Sequence, residues 1–393
     1  MIGCHGPEAL DLNNLENEVI TFYDDANEEI NFPSMNITTI NNQEIVDDPK
    51  INAELSVLED QIETKYNIGI EIRGSSSQMF PKKSYGFETK TEDYSDDLDV
   101  SIGGFSEEED WILYGPYSDK SLIRNKLTFD LSNAIGFKAS NTKFYNLSIN
   151  GDTKGLYVLM EKIKRDSNRV DISKNNSESV DAGYIIKIDK PTGDGESCST
   201  CYDSSYSFRS NFDTNANQSA DSEIYFIYDY PKPKNITDNQ KEFIFTTINE
   251  FETILASNNF DDPIDGFEKV IDVDTFIDFF IINEIAKNPD GFRLSTYMNK
   301  DTGGKLKMGP IWDFNLAFGN VDYCDGMNPE GWIYNFNSIC PGDIWQVPFW
   351  WRRLMESPSF KNKLKDRWQT LRSNTLSDSS ITNRIDSYLE YLN

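Results

Sequence analysis

Alternation of apolar and polar side chains dominates the first half of the chain. Residues 36–40, 53–58 and 68–73 put an apolar group at every second position, which predicts half-buried strands. Residues 84–88, 144–149 and 155–160 are further strand-like segments. Asn150-Gly151-Asp152 joins the last two and is hairpin-turn chemistry. One helix, about residues 120–135, interrupts this mainly antiparallel sheet, with Asp119 as its N-cap and Gly136 as its stop. Residues 190–221, rich in Gly, Ser, Asn and Asp, read as an exposed insertion loop. A strand over 223–230 follows, and then the spacing turns helical. Thr237-Asp238-Asn239-Gln240 forms a capping box for a helix ending near Leu255. Asp274 caps a helix over 275–287 that is apolar on nearly every side and so predicted to be buried. Residues 349–392 again show helical spacing, and no internal repeat is present. The predicted class is α+β. An acidic leader or tether covers 1–30, a β-rich N-terminal lobe 31–235 and a mainly helical C-terminal lobe 236–393, with a cleft between the lobes.

Composition narrows the function. Of 393 residues, 38% are hydrophobic and 13% aromatic, enough for a real core. With 37 basic and 66 acidic side chains the net charge is −29. That balance excludes nucleic acid as a general partner and argues against an anionic membrane surface. The charge is uneven: residues 1–60 hold Lys50 alone against 14 acids, whereas 61–175 hold 16 bases against 18 acids. Cations gathered in one region of an acidic protein point to an anionic ligand such as a polyphosphate. The lone histidine, His5, sits in the acidic leader, which removes Ser-His-Asp and Cys-His catalysis. No run of 18 apolar residues exists, so no transmembrane helix is expected. Met1-Ile2-Gly3-Cys4 resembles the end of a bacterial lipoprotein signal, in which Cys4 would carry lipid at an extracytoplasmic surface. The alternative is a chance cysteine in a cytosolic protein. Cys198, Cys201, Cys324 and Cys340 suit either one four-thiolate zinc site or two local disulfides. Disulfides are the preferred expectation, Cys324–Cys340 above all, because that loop gains order from a staple.

Two segments carry the chemistry. Asn288-Pro289-Asp290-Gly291 follows the buried helix and is, taken alone, turn chemistry. Asp313 lies in Ile311-Trp312-Asp313-Phe314-Asn315, and a carboxylate among large apolar residues needs a cation or good hydrogen bonds. The two Asp residues are 23 positions apart with an apparent hairpin between them, over 294–308. Protein kinases join a catalytic Asp to a metal-binding Asp in the same way. One carboxylate orients the attacking hydroxyl and takes its proton, and the other holds the magnesium that bridges the phosphates. Arg73 beside a Ser-rich turn, Lys82, Lys83 and Arg124 are the upstream cations placed to contact phosphate.

These residues resemble the spore-coat protein CotH family of atypical kinases. The resembling blocks are Glu71-Ile72-Arg73-Gly74-Ser75-Ser76 with Lys82-Lys83-Ser84, Asp110-Trp111-Ile112-Leu113 and Ile123-Arg124-Asn125-Lys126. Others are Gly155-Leu156-Tyr157-Val158-Leu159-Met160-Glu161, Asn288-Pro289-Asp290, Trp312-Asp313-Phe314 and Pro348-Phe349-Trp350-Trp351-Arg352-Arg353-Leu354. They keep a consistent order over about residues 35–390. The resemblance implies a diverged two-lobed protein-kinase-like fold and transfer of a phosphoryl group from ATP to protein Ser or Thr. It implies an extracytoplasmic or spore-surface setting, with a surface or coat protein as substrate. Position by position it makes Asp290 the catalytic Asp and Asp313 the magnesium ligand. Lys83 becomes the phosphate-contacting lysine, with Lys82 its competitor, and Arg73, Arg124 and Glu161 assist. Two positions depart from the pattern. Ser295 stands where kinases place a second magnesium-binding Asn, and Asn315 where relatives often have a second Asp. Asn315 still offers a carbonyl to the metal but no charge, so weaker magnesium binding or use of manganese is expected.

Two other classes compete. One is a surface binding or adhesion module that keeps the fold without turnover. The other is a glycosidase using two carboxylates, with tryptophans as sugar platforms.

Overall fold

The computed structural model describes residues 32–194, 198–220 and 223–392, with a short ribbon of β1 (Phe22–Tyr23) against β2 (Glu29–Ile30). The predicted leader otherwise lies outside the described residues. Seven strands close into a barrel: β3 (Ser34–Thr39), β4 (Ile51–Glu59), β5 (Ile62–Arg73), β6 (Ser84–Lys90), β7 (Asp110–Tyr114), β8 (Thr142–Ile149) and β9 (Asp152–Glu161). Their spatial order is β3-β4-β5-β6-β7-β9-β8, and a parallel β3·β8 seam completes the ring. All other neighbours in it are antiparallel. The alternating positions read from the sequence fill the barrel, including Met35, Ile37, Leu55, Ile68, Ile70 and Phe87. Asn150 and Gly151 turn the β8–β9 hairpin at positive φ, 52° and 80°.

Strand β7 was not legible as alternation, because Trp111, Ile112 and Leu113 are all buried. Trp111 and Leu113 face the barrel interior, whereas Ile112, Phe144, Val158 and Met160 pack outward into a second, larger core. That core lies beneath α1 (Arg124–Ala134) and a five-stranded antiparallel sheet. The sheet runs β11 (Ser207–Arg209), β12 (Tyr225–Tyr230), β10 (Tyr184–Ile188), β13 (Thr296–Lys300), β14 (Lys307–Met308). Residue 235, the expected division between lobes, falls between strands of this one sheet. The expected insertion loop supplies its edge strand, β11.

Helices α2 (Asp238–Ala256), α3 (Val273–Ala286), α4 (Phe336–Ile339), α5 (Trp350–Leu354), α6 (Pro358–Arg372) and α7 (Asp378–Leu392) follow. The capping box on α2 forms as read, Thr237 accepting from the Gln240 amide while the Gln240 side chain accepts from Thr237. Two helix starts differ. Helix α3 begins at Val273, so Asp272 holds the cap position and Asp274 lies in the first turn. Helix α1 begins at Arg124, and Asp119 reaches its first N–H from outside the helix, at 2.9 Å. The cysteines pair as Cys198–Cys201 and Cys324–Cys340, so the four-thiolate zinc alternative is set aside. No helix among the described residues is long and apolar enough to cross a membrane.

The larger core contains one charge-bearing group with a readable consequence. Glu252 on α2 is 2% exposed and accepts from Trp350 Nε1 at 3.0 Å and Ser210 Oγ at 2.7 Å. Burial raises it from 4.5 to about 7, against the lowering effect of those two bonds. The folded chain therefore holds this proton more tightly than the unfolded chain. The resulting stability is full below pH 4.5 and is lost as pH rises through about 7. Glu252→Gln should remove from the decline in stability between pH 5 and 8 a part on the order of 3 kcal/mol. Urea midpoints for both chains across that range check it. An equal decline in both would show that Glu252 is not the source.

Candidate active site

Helix α3 stops at Lys287, whose φ of 43° is left-handed, and the chain turns into Asn288-Pro289-Asp290-Gly291. The turn is real: Gly291 N–H donates to the Asn288 carbonyl at 2.9 Å. A Cβ at Gly291 would lie 2.4 Å from Asn283 Oδ1, so only glycine fits. The turn also holds the Asp290 carboxylate in place. Arg293 Nη2 donates to Asp290 Oδ1 at 2.8 Å, and the Tyr323 hydroxyl lies 3.5 Å from the same oxygen. Arg293 is 2% exposed, and a buried guanidinium must be fully engaged. It donates to the Pro289 carbonyl at 2.7 Å, the Trp345 carbonyl at 3.1 Å and Asp343 Oδ1 at 3.2 Å. Its face rests on the Phe336 ring at 4.0 Å.

The expected hairpin is present, β13 pairing with β14 at Met298↔Met308. It returns the chain to Asp313, whose φ of 60° is uncommon for a residue with a side chain. Both sides hold the backbone there. Asn288 Nδ2 donates to the Asp313 carbonyl at 3.3 Å, and Phe314 N–H donates to Asn125 Oδ1 on α1 at 2.6 Å. The Asp313 carboxylate is recessed among protein atoms yet still touches solvent. Among the described residues no hydrogen-bond donor or ion pair satisfies it. Burial first, then the negative charges of Asp290 and Asp189, push it up to about 7, while Lys190 and Arg73 oppose them. Asp290 and Asp313 thus share one electrostatic environment.

The cations separate into free and engaged. Arg73 ends β5 at the same recess, with its guanidinium carbon 5.7 Å from the Trp312 ring centre. Burial lowers it from its ordinary value, while Tyr297, Glu71, Asp313 and Asp110 act in the opposite sense. No acceptor among the described residues takes its N–H groups. Lys83 donates to the Gln78 carbonyl at 2.5 Å. Lys82 donates to the Lys154 carbonyl at 2.9 Å and lies over the Tyr157 ring, and burial brings it down to about 8. Arg124 pairs with Asp119 and donates to Ser121 Oγ at 2.9 Å. Glu161, 2% exposed, accepts from Asn141 N–H at 2.8 Å and acts electrostatically on Arg169. Asn315 is half-buried two residues beyond Asp313, its main-chain carbonyl accepting from Asn320 Nδ2 at 2.7 Å.

Sequence reasoning missed Asp189 and Lys190. Strand β10 pairs with β13 at Ile188↔Thr296, so the two residues after β10 emerge beside Leu294 and Ser295, and both act electrostatically on Asp313. Ser75 Oγ and Thr192 Oγ1, 2.5 Å apart, tie the Ser-rich turn after Arg73 to this same exit. The Lys190 ammonium sits 4.4 Å from the Trp345 ring centre. The available signal was a charged pair, Asp189-Lys190, directly after the buried run Tyr184-Ile185-Ile186-Lys187-Ile188.

These residues fit a hard divalent cation with a polyphosphate. Asp313 is a carboxylate in want of a positive partner, with Asn315 two residues on as a further oxygen donor and with Asp189 and Asp290 near enough to act on it electrostatically. Magnesium binds through one or two carboxylates and completes its shell with phosphate and water. Arg73, with a free fork of donors, suits phosphate oxygens.

The sequence matches the family described as CotH kinase protein over residues 70–393, and the chain belongs to that family. A curated relative, Inner spore coat protein H of Bacillus subtilis (strain 168), is 28% identical over 124 residues. That match covers 31% of this chain and 30% of the relative's length. Among solved structures, the Helicobacter pylori proinflammatory kinase CtkA matches at 11% identity, covering 73% of this chain and 86% of that one. The TM-score is 0.28, too low to carry inference.

Proposed function

We propose that the chain is a magnesium-dependent kinase, with a two-lobed protein-kinase-like build, that transfers the γ-phosphoryl group of ATP to Ser or Thr of proteins. The observation behind this reading is that Asp313 feels the charge of Asp290, 23 residues away in sequence and across one hairpin. Family membership supports it independently.

Asp290, positioned by Arg293, orients the acceptor hydroxyl and takes its proton. Arg73 and Lys190 face the phosphate oxygens and oppose their charge. Lys83 joins them by exchanging the Gln78 carbonyl for phosphate, with Lys82 the competing choice. Arg124 and Glu161 act one step removed, through Asp119 and Asn141. Magnesium, or manganese in its place, would be held by Asp313 with Asn315 and supply positive charge to the phosphates. The two disulfides suit an extracytoplasmic setting, and the spore-coat relative suggests a surface or coat protein as acceptor. Lipidation at Cys4 belongs to the same proposal, though Cys4 lies outside the described residues.

ATP with magnesium should stabilise the chain against heat, by about 2.7 kcal/mol at a hundredfold excess over the dissociation constant. ATP without a divalent cation should stabilise far less, and Arg73→Gln should shrink the effect. An unchanged melting curve at every nucleotide concentration would favour the silent binding module.

A further inference from the structure

A cavity of about 390 Å³ lies between α3, the Gly331-Trp332 turn and α6, and it shares no residue with the candidate active site. Phe280, Ile281, Ile285, Trp332, Leu364 and Trp368 supply most of its apolar lining. Its size and its few polar groups, Glu284, Lys361 and Lys365, match those of small-molecule sites. Trp332 and Trp368 are 52% and 38% exposed, so two large aromatic surfaces face water at its mouth.

The charge pattern states what kind of molecule fits. Helix α6 carries five bases. Three are neutralised: Lys363 by Glu268 at 2.7 Å, Arg367 by Asp278 at 2.8 Å and Arg372 by Asp378 at 2.7 Å. Lys361 and Lys365, one helical turn apart, meet no carboxylate among the described residues. Both ammonium groups are therefore available to an anion at the edge of the apolar cavity. The acid in the wall, Glu284, is already engaged, accepting from the amides of Ile333 at 2.9 Å and Tyr334 at 2.8 Å. Burial also raises it to about 7, which thins the negative charge an anion would meet.

We infer that this cavity binds an amphiphilic monoanion of the fatty-carboxylate class, its apolar body against Phe280, Trp332 and Trp368 and its anionic end at Lys361 and Lys365. The site is independent of the kinase reading.

The test titrates the full chain with sodium dodecanoate below its micelle concentration, following tryptophan fluorescence. Dodecyltrimethylammonium, with the same chain length and opposite charge, is the comparison. Dodecanoate should bind saturably with one site per chain, and the cation about tenfold more weakly. Lys361→Gln/Lys365→Gln should weaken dodecanoate about tenfold and leave the cation unchanged. Both lysines are exposed, so the double variant should fold as the parent does. Absence of saturation, equal binding of the two amphiphiles, or a double variant that binds dodecanoate like the parent would each overturn the assignment.

Discussion

Asp290→Asn is expected to lower phosphoryl transfer by about 10²- to 10⁴-fold, the range for removing a positioned general base. ATP affinity should change little, because in the proposed mechanism the nucleotide phosphates are assigned to Arg73, Lys190 and a metal held by Asp313 with Asn315. The substitution keeps shape. The amide oxygen that replaces a carboxylate oxygen can still accept from Arg293 Nη2, which now donates to Asp290 at 2.8 Å, so the buried arginine keeps a partner. A loss of rate with intact folding and intact nucleotide binding is therefore the expected combination. Initial rates of label transfer to a protein acceptor, with equilibrium dialysis of ATP, give both quantities. An unchanged rate would leave Asp290 as a turn residue, the role that Pro-Asp-Gly composition alone assigns.

The legible part of the fold was the part with one wet face. Strands β3, β4 and β5 alternate, and the barrel interior collects their apolar positions. Strands β7, β10 and β13 are buried along all or most of their length, so their sequences show no period of two. Closure of the barrel was not legible either. It depends on Ser34–Ile37 pairing with Asn146–Ile149, a long-range match that no local pattern encodes. The start of α3 was misplaced because Asp272 and Asp274 both suit a cap, and that of α1 because Asp119 bonds the first helical N–H from five residues upstream.

The site was legible where residue type is unusual for its surroundings. Asp313 among Ile311, Trp312 and Phe314 is such a case, and Asp290 stood out only in its company. Arg293 drew no reading from the sequence, yet it is 2% exposed and bonded on several sides. Asp189 drew no reading, and Lys190 fell at the start of the expected insertion loop, 190–221. Their place near the start of β13 follows from the β10·β13 register, which the sequence does not write down.

The central claim is that Asp313 gives the phosphates their metal. Its carboxylate has no partner among the described residues and is raised to about 7 by burial and by Asp290 and Asp189. A divalent cation would offset that cost directly. Asp313→Asn removes the charge, keeps the size and relieves the repulsion, so the variant should fold at least as well as the parent. The deciding measurement is ATP-dependent phosphoryl incorporation by the two chains at equal ATP and magnesium. A loss of about a thousandfold or more in the variant, with its melting temperature maintained, is the predicted result. Incorporation at the parent's rate by Asp313→Asn would contradict the account.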